Sequence, residues 1–427
     1  MDELEEKRFG VKISIPEKVR YILQVLEAAG WESYAVGVCV RDAILNRTPG
    51  DWDITTRARP EQVKALFPRC IDTGIQHGTV TVLLGKEGFE VTTYRIDGTY
   101  QDGRHPDEVF YTTELREDLR RRDFTMNAMA YHPDRGLVDI FGGRRDLHRK
   151  IVRCVGEPSE RFSEDALRIL RAVRFAAQLG FSVEPRTEEA LRALAPNLRR
   201  VSRERIQTEL VKLLMSPHPD QLQYLYDTGI LQEILPQLCE TAGQGKLPYL
   251  ERALLGTAPD KTERLAVMLS ESGMQAGAIL RSLKFDNETT HAVQTLVAQK
   301  DWEPDGTAAG VRRLLRKIGE AYFLPLLDVK DALAGADEQN AADALARTAL
   351  ARRQYREILE RGECFSLKTL AVSGRDLIAA GCRPGPGLGK ILERLLDMVI
   401  EHPEWNEKSV LEQKIEEAKE EDGYEEY

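Results

Sequence analysis

The stretch Tyr34 to Thr55, YAVGVCVRDAILNRTPGDWDIT, constrains this chain more than any other. An apolar run, Tyr34-Ala35-Val36, meets Gly37 and then Val40-Arg41-Asp42 at an expected helix start, and the stretch closes on Asp51-Trp52-Asp53-Ile54. Side chains alternate faces along a strand. A strand over Asp51 to Thr55 therefore sends both carboxylates to one face and Trp52 and Ile54 to the other. Two carboxylates held side by side repel each other unless a cation lies between or near them. Hard divalent ions such as Mg²⁺ take carboxylate oxygens and bridge to substrate phosphates. Upstream, a strand, a glycine turn and a helix N-terminus would seat a phosphate, with Arg41 as added positive charge. A surface turn followed by a solvated acidic pair is the alternative, and these residues alone leave it open.

The flanking pattern mixes strands and helices. Val19, Ile22, Leu23, Val25 and Leu26 recur at helical spacing and stop at Gly30. Tyr34 to Val38 reads as a strand, Val40 to Asn46 as a short helix, and Pro60 to Phe67 as a helix with proline near its start. The run from His77 and the segment FEVTTYR (Phe89 to Arg95) read as a hairpin turning at Gly85 to Gly88. On FEVTTYR, Glu90 shares a face with Thr92 and Tyr94, a candidate third metal ligand or general base. Asp97 to Tyr111, DGTYQDGRHPDEVFY, has the composition of a mobile loop. In LRRRDFTMNAMAY, Asp123-Phe124-Thr125 looks like the cap of a helix with Met126, Ala128 and Met129 inward. Strand signals stop after about Ile151, and the rest reads as helices between Gly/Pro breaks. The first 150 residues are thus a small α/β or α+β domain, and 427 residues call for two to four domains.

The composition is that of a soluble chain, 42% hydrophobic and 30% charged, with no apolar run of membrane-spanning length. The opening MDELEEKRFG is acidic, so no secretory signal is expected. Six scattered cysteines without a CxxC pair argue against zinc and a disulfide framework and fit a cytoplasmic setting. The net charge of −10, taken as an average, argues against nucleic acid. Basic residues nevertheless crowd at Arg116 to Arg122 and at Arg144 to Arg153, and RNA binding needs a basic face rather than a basic protein.

Ser163 to Gly180, SEDALRILRAVRFAAQLG, reads as one amphipathic helix with Ser163 as N-cap and Gly180 as stop. Asp165, Arg168, Arg171 and Arg174 follow one another at intervals of three and trace a row on its outer side. An acceptor followed by fixed donors could read a base edge and hold phosphates. Cytosine and adenine each set an amino donor beside an unprotonated ring nitrogen; uracil and guanine present the reverse order, which Asp plus Arg would reject. A salt-bridged outer face is the plainer reading of this helix taken alone.

Together these stretches resemble the class II tRNA nucleotidyltransferase and poly(A) polymerase family, specifically the bacterial CCA-adding enzymes. The GGxVRD and DxD motif is similar to Gly37 through Asp42 with Asp51 and Asp53, RRDFTxNA to Arg121 through Ala128, and EDxxR to Glu164 through Arg168. The ordered set spans roughly residues 20 to 215. The resemblance implies a polymerase-β-like head with a mixed sheet (1–150), followed by an all-helical neck (151–215), body (216–320) and tail (321–411), the last two binding tRNA; the acidic composition of 412–427 reads as a disordered end. The resemblance also implies that Asp51 and Asp53 bind two metal ions such as Mg²⁺, with Glu90 assisting catalysis. Gly37, Val38 and Arg41 would hold the triphosphate, and Arg122, Asp165, Arg168, Arg171 and Arg174 would bind and select CTP or ATP. The implied reaction is template-independent CCA addition to tRNA by a monomer or homodimer.

One residue departs from the motif. Val38 stands where the family has its second glycine, and a branched side chain is unfavourable if φ there is positive. That leaves a catalytically impaired RNA-binding relative as an alternative, and independently of Val38 an A-adding-only enzyme, as where the task is split between two proteins, stays open. The loop Asp97 to Tyr111 disfavours a CC-only enzyme, and the acidic end disfavours a poly(A) polymerase.

Overall fold

The computed structural model describes residues 12–98, 109–337 and 341–420. The chain divides into two compact units at Ala242/Gly243.

The first unit is built on a seven-stranded sheet of order β3-β4-β5-β2-β1-β8-β9. Its strands are β1 (Ser33–Val36), β2 (Ile54–Thr56), β3 (Cys70–Gly74), β4 (Thr79–Leu84), β5 (Glu87–Thr93), β8 (Ala130–His132) and β9 (Gly136–Val138). Neighbours are antiparallel except β2 and β5, which run parallel with Ile54 opposite Val91. β1 and β2 lie centrally, and every one of their residues is buried. Helices α1 (Glu17–Ala28) and α3 (Pro60–Leu66) bury Val19, Ile22, Leu23, Leu26 and Val63. A separate ribbon, β6 (Arg95–Asp97) with β7 (Val109–Tyr111), flanks residues 99–108. Most of the expected mobile loop therefore lies outside the described residues, and its ends are paired strands.

Several sequence expectations need correction. Asp51 and Asp53 precede β2 instead of lying in it, although the Asp53 carbonyl already accepts the Val36 amide at 2.9 Å. α2 starts two residues earlier than expected and spans Val38–Ile44. Asp123 caps no long helix: α4 (Leu115–Arg120) ends before it, and only one 3₁₀ turn, Thr125–Asn127, precedes β8. Met126, Ala128 and Met129 are nonetheless fully buried. Strands do not stop at Ile151, because β10 (Ile151–Val152) pairs in parallel with β11 (Ser182–Val183) after α5 (Gly143–Arg149).

Ser163 to Gly180 is two helices, α6 (Pro158–Glu164) and α7 (Leu167–Leu179). Ser163 lies inside α6, its hydroxyl bonded back to the Ser159 carbonyl. The break falls at Asp165, which is extended at φ −142°, ψ 102° and accepts the Leu167 amide on its own carboxylate. An Asp side chain offering its own oxygen competes with helix continuation in this way. Gly180 ends α7 at φ +67°, as its position suggested. α8 (Pro185–Leu194) and α9 (Arg203–Leu214) complete the neck, α9 packing along α7. The short helices α10 (Leu222–Asp227), α11 (Ile230–Ile234) and α12 (Leu238–Gly243) follow, so no break separates units at residue 215.

The second unit is helical: α13 (Leu247–Gly256), α14 (Lys261–Met268), α15 (Ala276–Ser282), α16 (Asn287–Ala298), α17 (Ala308–Ile318), α18 (Glu320–Ala336), α19 (Ala341–Glu360), α20 (Gly374–Ala379), α21 (Gly387–Glu401) and α22 (Lys408–Glu420). α18 packs on α13, α14, α16, α17 and α19, so a body/tail boundary at residue 320 would detach a central helix from its neighbours. The expected disordered end is also wrong up to Glu420. Leu411, Ile415 and Ala418 of α22 are buried in a core with Ile391, Leu395 and Val399 of α21. Among the described residues no helix is long and apolar enough to cross a membrane, and all six cysteines are free.

Candidate active site

Three carboxylates gather where β1, β2 and β5 lie side by side. The parallel register that sets Ile54 against Val91 brings Asp53 level with Glu90. Ile54 and Val91 face the core, so the acids face away from it. Burial pushes the Asp53 carboxyl up, Arg122 opposes the shift, and Asp51 adds to it. Glu90 keeps one side open to solvent; partial desolvation, then Asp53 and Asp51, raise its carboxyl as well. These groups feel one another, so a cation among them would relieve repulsion.

Gly37 follows β1 at φ +88°, ψ −133°, and donates its amide to the Met129 carbonyl at 3.1 Å. A Cβ there would lie 2.9 Å from Arg122 Nη1. The glycine requirement thus belongs to position 37. Val38 has no positive φ, takes the first position of α2 and is 37% exposed, so the backbone objection to valine falls away. Cys39, turned inward, has its thiol pushed up to about 12 by burial and is inert.

Arg41 is only 4% exposed, and its charge is committed to Asp42 at 2.7 Å and to Asn127 Oδ1 at 3.0 Å. Its guanidinium is therefore closed off from solvent. Arg122 is better placed: it acts on Asp53, lies 3.6 Å from buried Asp118, and keeps its Nε buried without a hydrogen-bond partner among the described residues.

The arginine row on α7 is tied to this surface from the other side. Arg168 Nη2 donates to the Arg121 carbonyl at 3.3 Å, and its Nη1 donates to Glu164 at 2.5 Å. Arg171 grips Asp123 through Nε at 3.0 Å and Nη2 at 2.5 Å. Burial pushes the Asp123 carboxyl up, but Arg171 and Asn127 outweigh it and hold it at about 2. Arg174 does not lie on an outer face: it is 6% exposed and bonded to Glu209 at 2.6 Å. Asp165, at the break before α7, is held bidentately by Arg205 at 3.2 and 2.7 Å. Arg168 thus bonds to the backbone of Arg121, whose chain neighbour Arg122 acts on Asp53.

Sequence reasoning missed Asp118, Arg205, Glu209 and Phe175. Glu209 carried a signal, a carboxylate on the face of α9 that buries Ile206, Leu210 and Leu213. Such a residue needs a cation partner. Arg205 carried none, because its partner is 40 residues away.

Comparison with known proteins matches this architecture along the chain. The sequence profile described as "Poly A polymerase head domain" covers residues 33–153. The one described as "Probable RNA and SrmB- binding site of polymerase A" covers 180–241, and "tRNA nucleotidyltransferase domain 2 putative" covers 260–415. The CCA-adding enzyme of Limosilactobacillus fermentum is 40% identical over 388 residues, 90% of this chain and 92% of the relative. That of Lactobacillus helveticus is 39% identical over 386 residues, with the same coverage. The crystal structure of the Bacillus stearothermophilus CCA-adding enzyme in complex with CTP superposes with a TM-score of 0.78 at 32% identity, covering 99% of this chain and 100% of that one. The chain is a nucleotidyltransferase and belongs to the CCA-adding enzyme family.

Proposed function

We propose that this protein adds CCA to tRNA 3′ ends from CTP and ATP, releasing pyrophosphate and using no nucleic-acid template. The observation that carries the reading is the continuity of the Asp51/Asp53/Glu90 cluster with the Asp165–Arg168 row across Arg121 and Arg122. Relatives bearing the name CCA-adding enzyme, one solved with CTP, support it.

The carboxylates fit a divalent cation such as Mg²⁺, because burial raises both Asp53 and Glu90, Asp51 adds to both, and Asp53 adds to Glu90. Among the described residues no three His, Cys, Asp or Glu side chains are grouped to hold a metal ion by themselves. Asp51 and Asp53 would be the protein ligands, with substrate phosphates and water completing the shell. Bound there, a pair of such ions supplies Lewis acidity for the tRNA 3′-hydroxyl and charge neutralisation for the triphosphate. Arg122, the guanidinium that acts on Asp53, takes a phosphate oxygen. Arg171 adds charge near it, while Arg41 and Arg174 support from below.

Asp165 and Arg168 read the base. A carboxylate has about four acceptor positions, and Leu167 and Arg205 already use three on Asp165. One remains for the amino group of cytosine or adenine, and Arg168, fixed by Glu164 and the Arg121 carbonyl, donates to the ring nitrogen. The reaction places the protein in the cytoplasm, in keeping with its free thiols.

The test supplies tRNA ending at the discriminator base, at C, or at CC, with labelled CTP or ATP and Mg²⁺. CTP incorporation on the shortest substrate supports CCA addition. ATP incorporation confined to the CC end points to an A-adding enzyme instead, long ATP tails to a poly(A) polymerase, and binding without incorporation to an impaired relative. Val38→Gly, assayed in parallel, is expected to change CTP affinity by less than about threefold, because residue 38 needs no positive φ.

A further inference from the structure

Three guanidinium groups converge on one aromatic ring. Phe175, on α7, is 2% exposed. Cζ of Arg174 lies 3.6 Å from its ring centroid, that of Arg41 4.8 Å and that of Arg171 5.3 Å. Phe124, in the head, meets the ring edge-on with centroids 5.8 Å apart. Arg41 comes from α2, immediately behind the Gly37 turn, whereas Arg171 and Arg174 belong to α7.

Like charges brought so close repel, more strongly in a partly dry interior than in water. Carboxylates offset part of that repulsion: Asp42 for Arg41, Asp123 for Arg171, and Glu209 chiefly for Arg174. Two links then join Arg41 to α7. One is polar: Arg41 donates to Asn127 Oδ1, Asn127 Nδ2 donates to Asp123 Oδ1, and Arg171 donates to Asp123 Oδ2. The other is the ring itself. The negative face of an aromatic ring attracts cations, and guanidinium groups stack on it readily. A leucine would fill much of the same space without that attraction.

We propose that Phe175 is a positioning residue for nucleotide binding. Its ring holds the arginine of the head's first motif and the arginines of α7 as one fixed array, so that the Gly37–Arg122 edge and the base-reading row meet the same nucleotide in register. Phe175 itself does not touch the nucleotide. The inference rests on the cleft's being the nucleotide site, as argued above.

Fluorination separates this role from simple filling, because it drains the ring's negative face with little change in volume. Phe175 is replaced site-specifically in the full-length protein by 4-fluoro-, 3,5-difluoro- and 3,4,5-trifluorophenylalanine, with Phe175→Leu alongside. KM for CTP and for ATP is expected to rise stepwise by about tenfold across the series, with kcat within about twofold and unchanged preference for CTP over UTP. Kd for CTP, measured without tRNA, climbs in parallel. Flat KM and Kd across the series would overturn the proposal and reduce Phe175 to a filler. Should the unmodified protein incorporate nothing, a climbing Kd would still uphold the proposal and a flat one refute it; the inactivity would then count against the functional reading alone.

Discussion

Replacing Gly37 by alanine should cost this protein twice, and the two costs can be separated. At φ +88°, ψ −133° the backbone lies where only glycine rests comfortably; holding another residue in such a region costs about 1–3 kcal/mol. The new methyl would also lie 2.9 Å from Arg122 Nη1. A guanidinium end can swing aside at little steric cost, but Arg122 then leaves Asp53. The loss of one charge-assisted contact to phosphate is worth roughly 1.5–3 kcal/mol, or about tenfold or more in nucleotide incorporation. Thermal unfolding of the N-terminal unit should fall by roughly 2–4 °C per kcal/mol. In an Arg122→Ala background, Gly37→Ala should retain its stability penalty and lose its further effect on incorporation. Full activity with stability within about 0.5 kcal/mol of wild type would refute the assignment of both roles to this glycine.

Three other outcomes are expected. Asp123→Asn leaves Arg171 with Glu209, at 3.8 Å, as its one remaining ion-pair partner among the described residues and should cost about 2–3 kcal/mol near neutral pH. Because Asp123 is lowered from 3.8 to about 2 in the fold, its contribution is present above 3.8 and lost as pH falls through about 2, so urea titrations of the two proteins should converge over that window. Glu263 is shifted the opposite way, from 4.5 to about 7, by burial and then by Asp328 and Asp260. Its ionisation costs stability above about 7 and nothing below 4.5; after allowance for solvent screening, Glu263→Gln should gain about 1–2 kcal/mol at pH 8, and equal melting temperatures at pH 8 would count against it. Ile415→Ala should destabilise the C-terminal unit by about 2–4 kcal/mol in calorimetry, whereas a frayed end would show no change.

What could be read from the sequence depended on the range of the interaction. Gly37 and Gly180 are local punctuation, and both stand at the positive φ their surroundings require. Val19, Ile22, Leu23 and Leu26 meet the core at helical spacing, as their pattern demanded. The break at Asp165 was hidden because Ser163-Glu164-Asp165 also resembles a good helix start, and the contact with Arg205, 40 residues away, that holds the turned carboxylate is not visible in that stretch. Arg174 looked exposed because a periodic row cannot show that α9 lies over it with Glu209. In α22 the spacing of Leu411, Ile415 and Ala418 was present, but the density of Glu and Lys masked it.

The placement of Asp165 has a mechanical consequence. It is the joint between two rods, not a side chain carried on either, and its extended backbone can change pitch without melting a helical turn. A change of angle between α6 and α7 is taken up at residue 165 while its oxygen pair stays tied to Leu167 and Arg205. Substitutions on α6 would leave that pair in place, whereas loss of Arg205 would release it and retune which nucleobase is accepted.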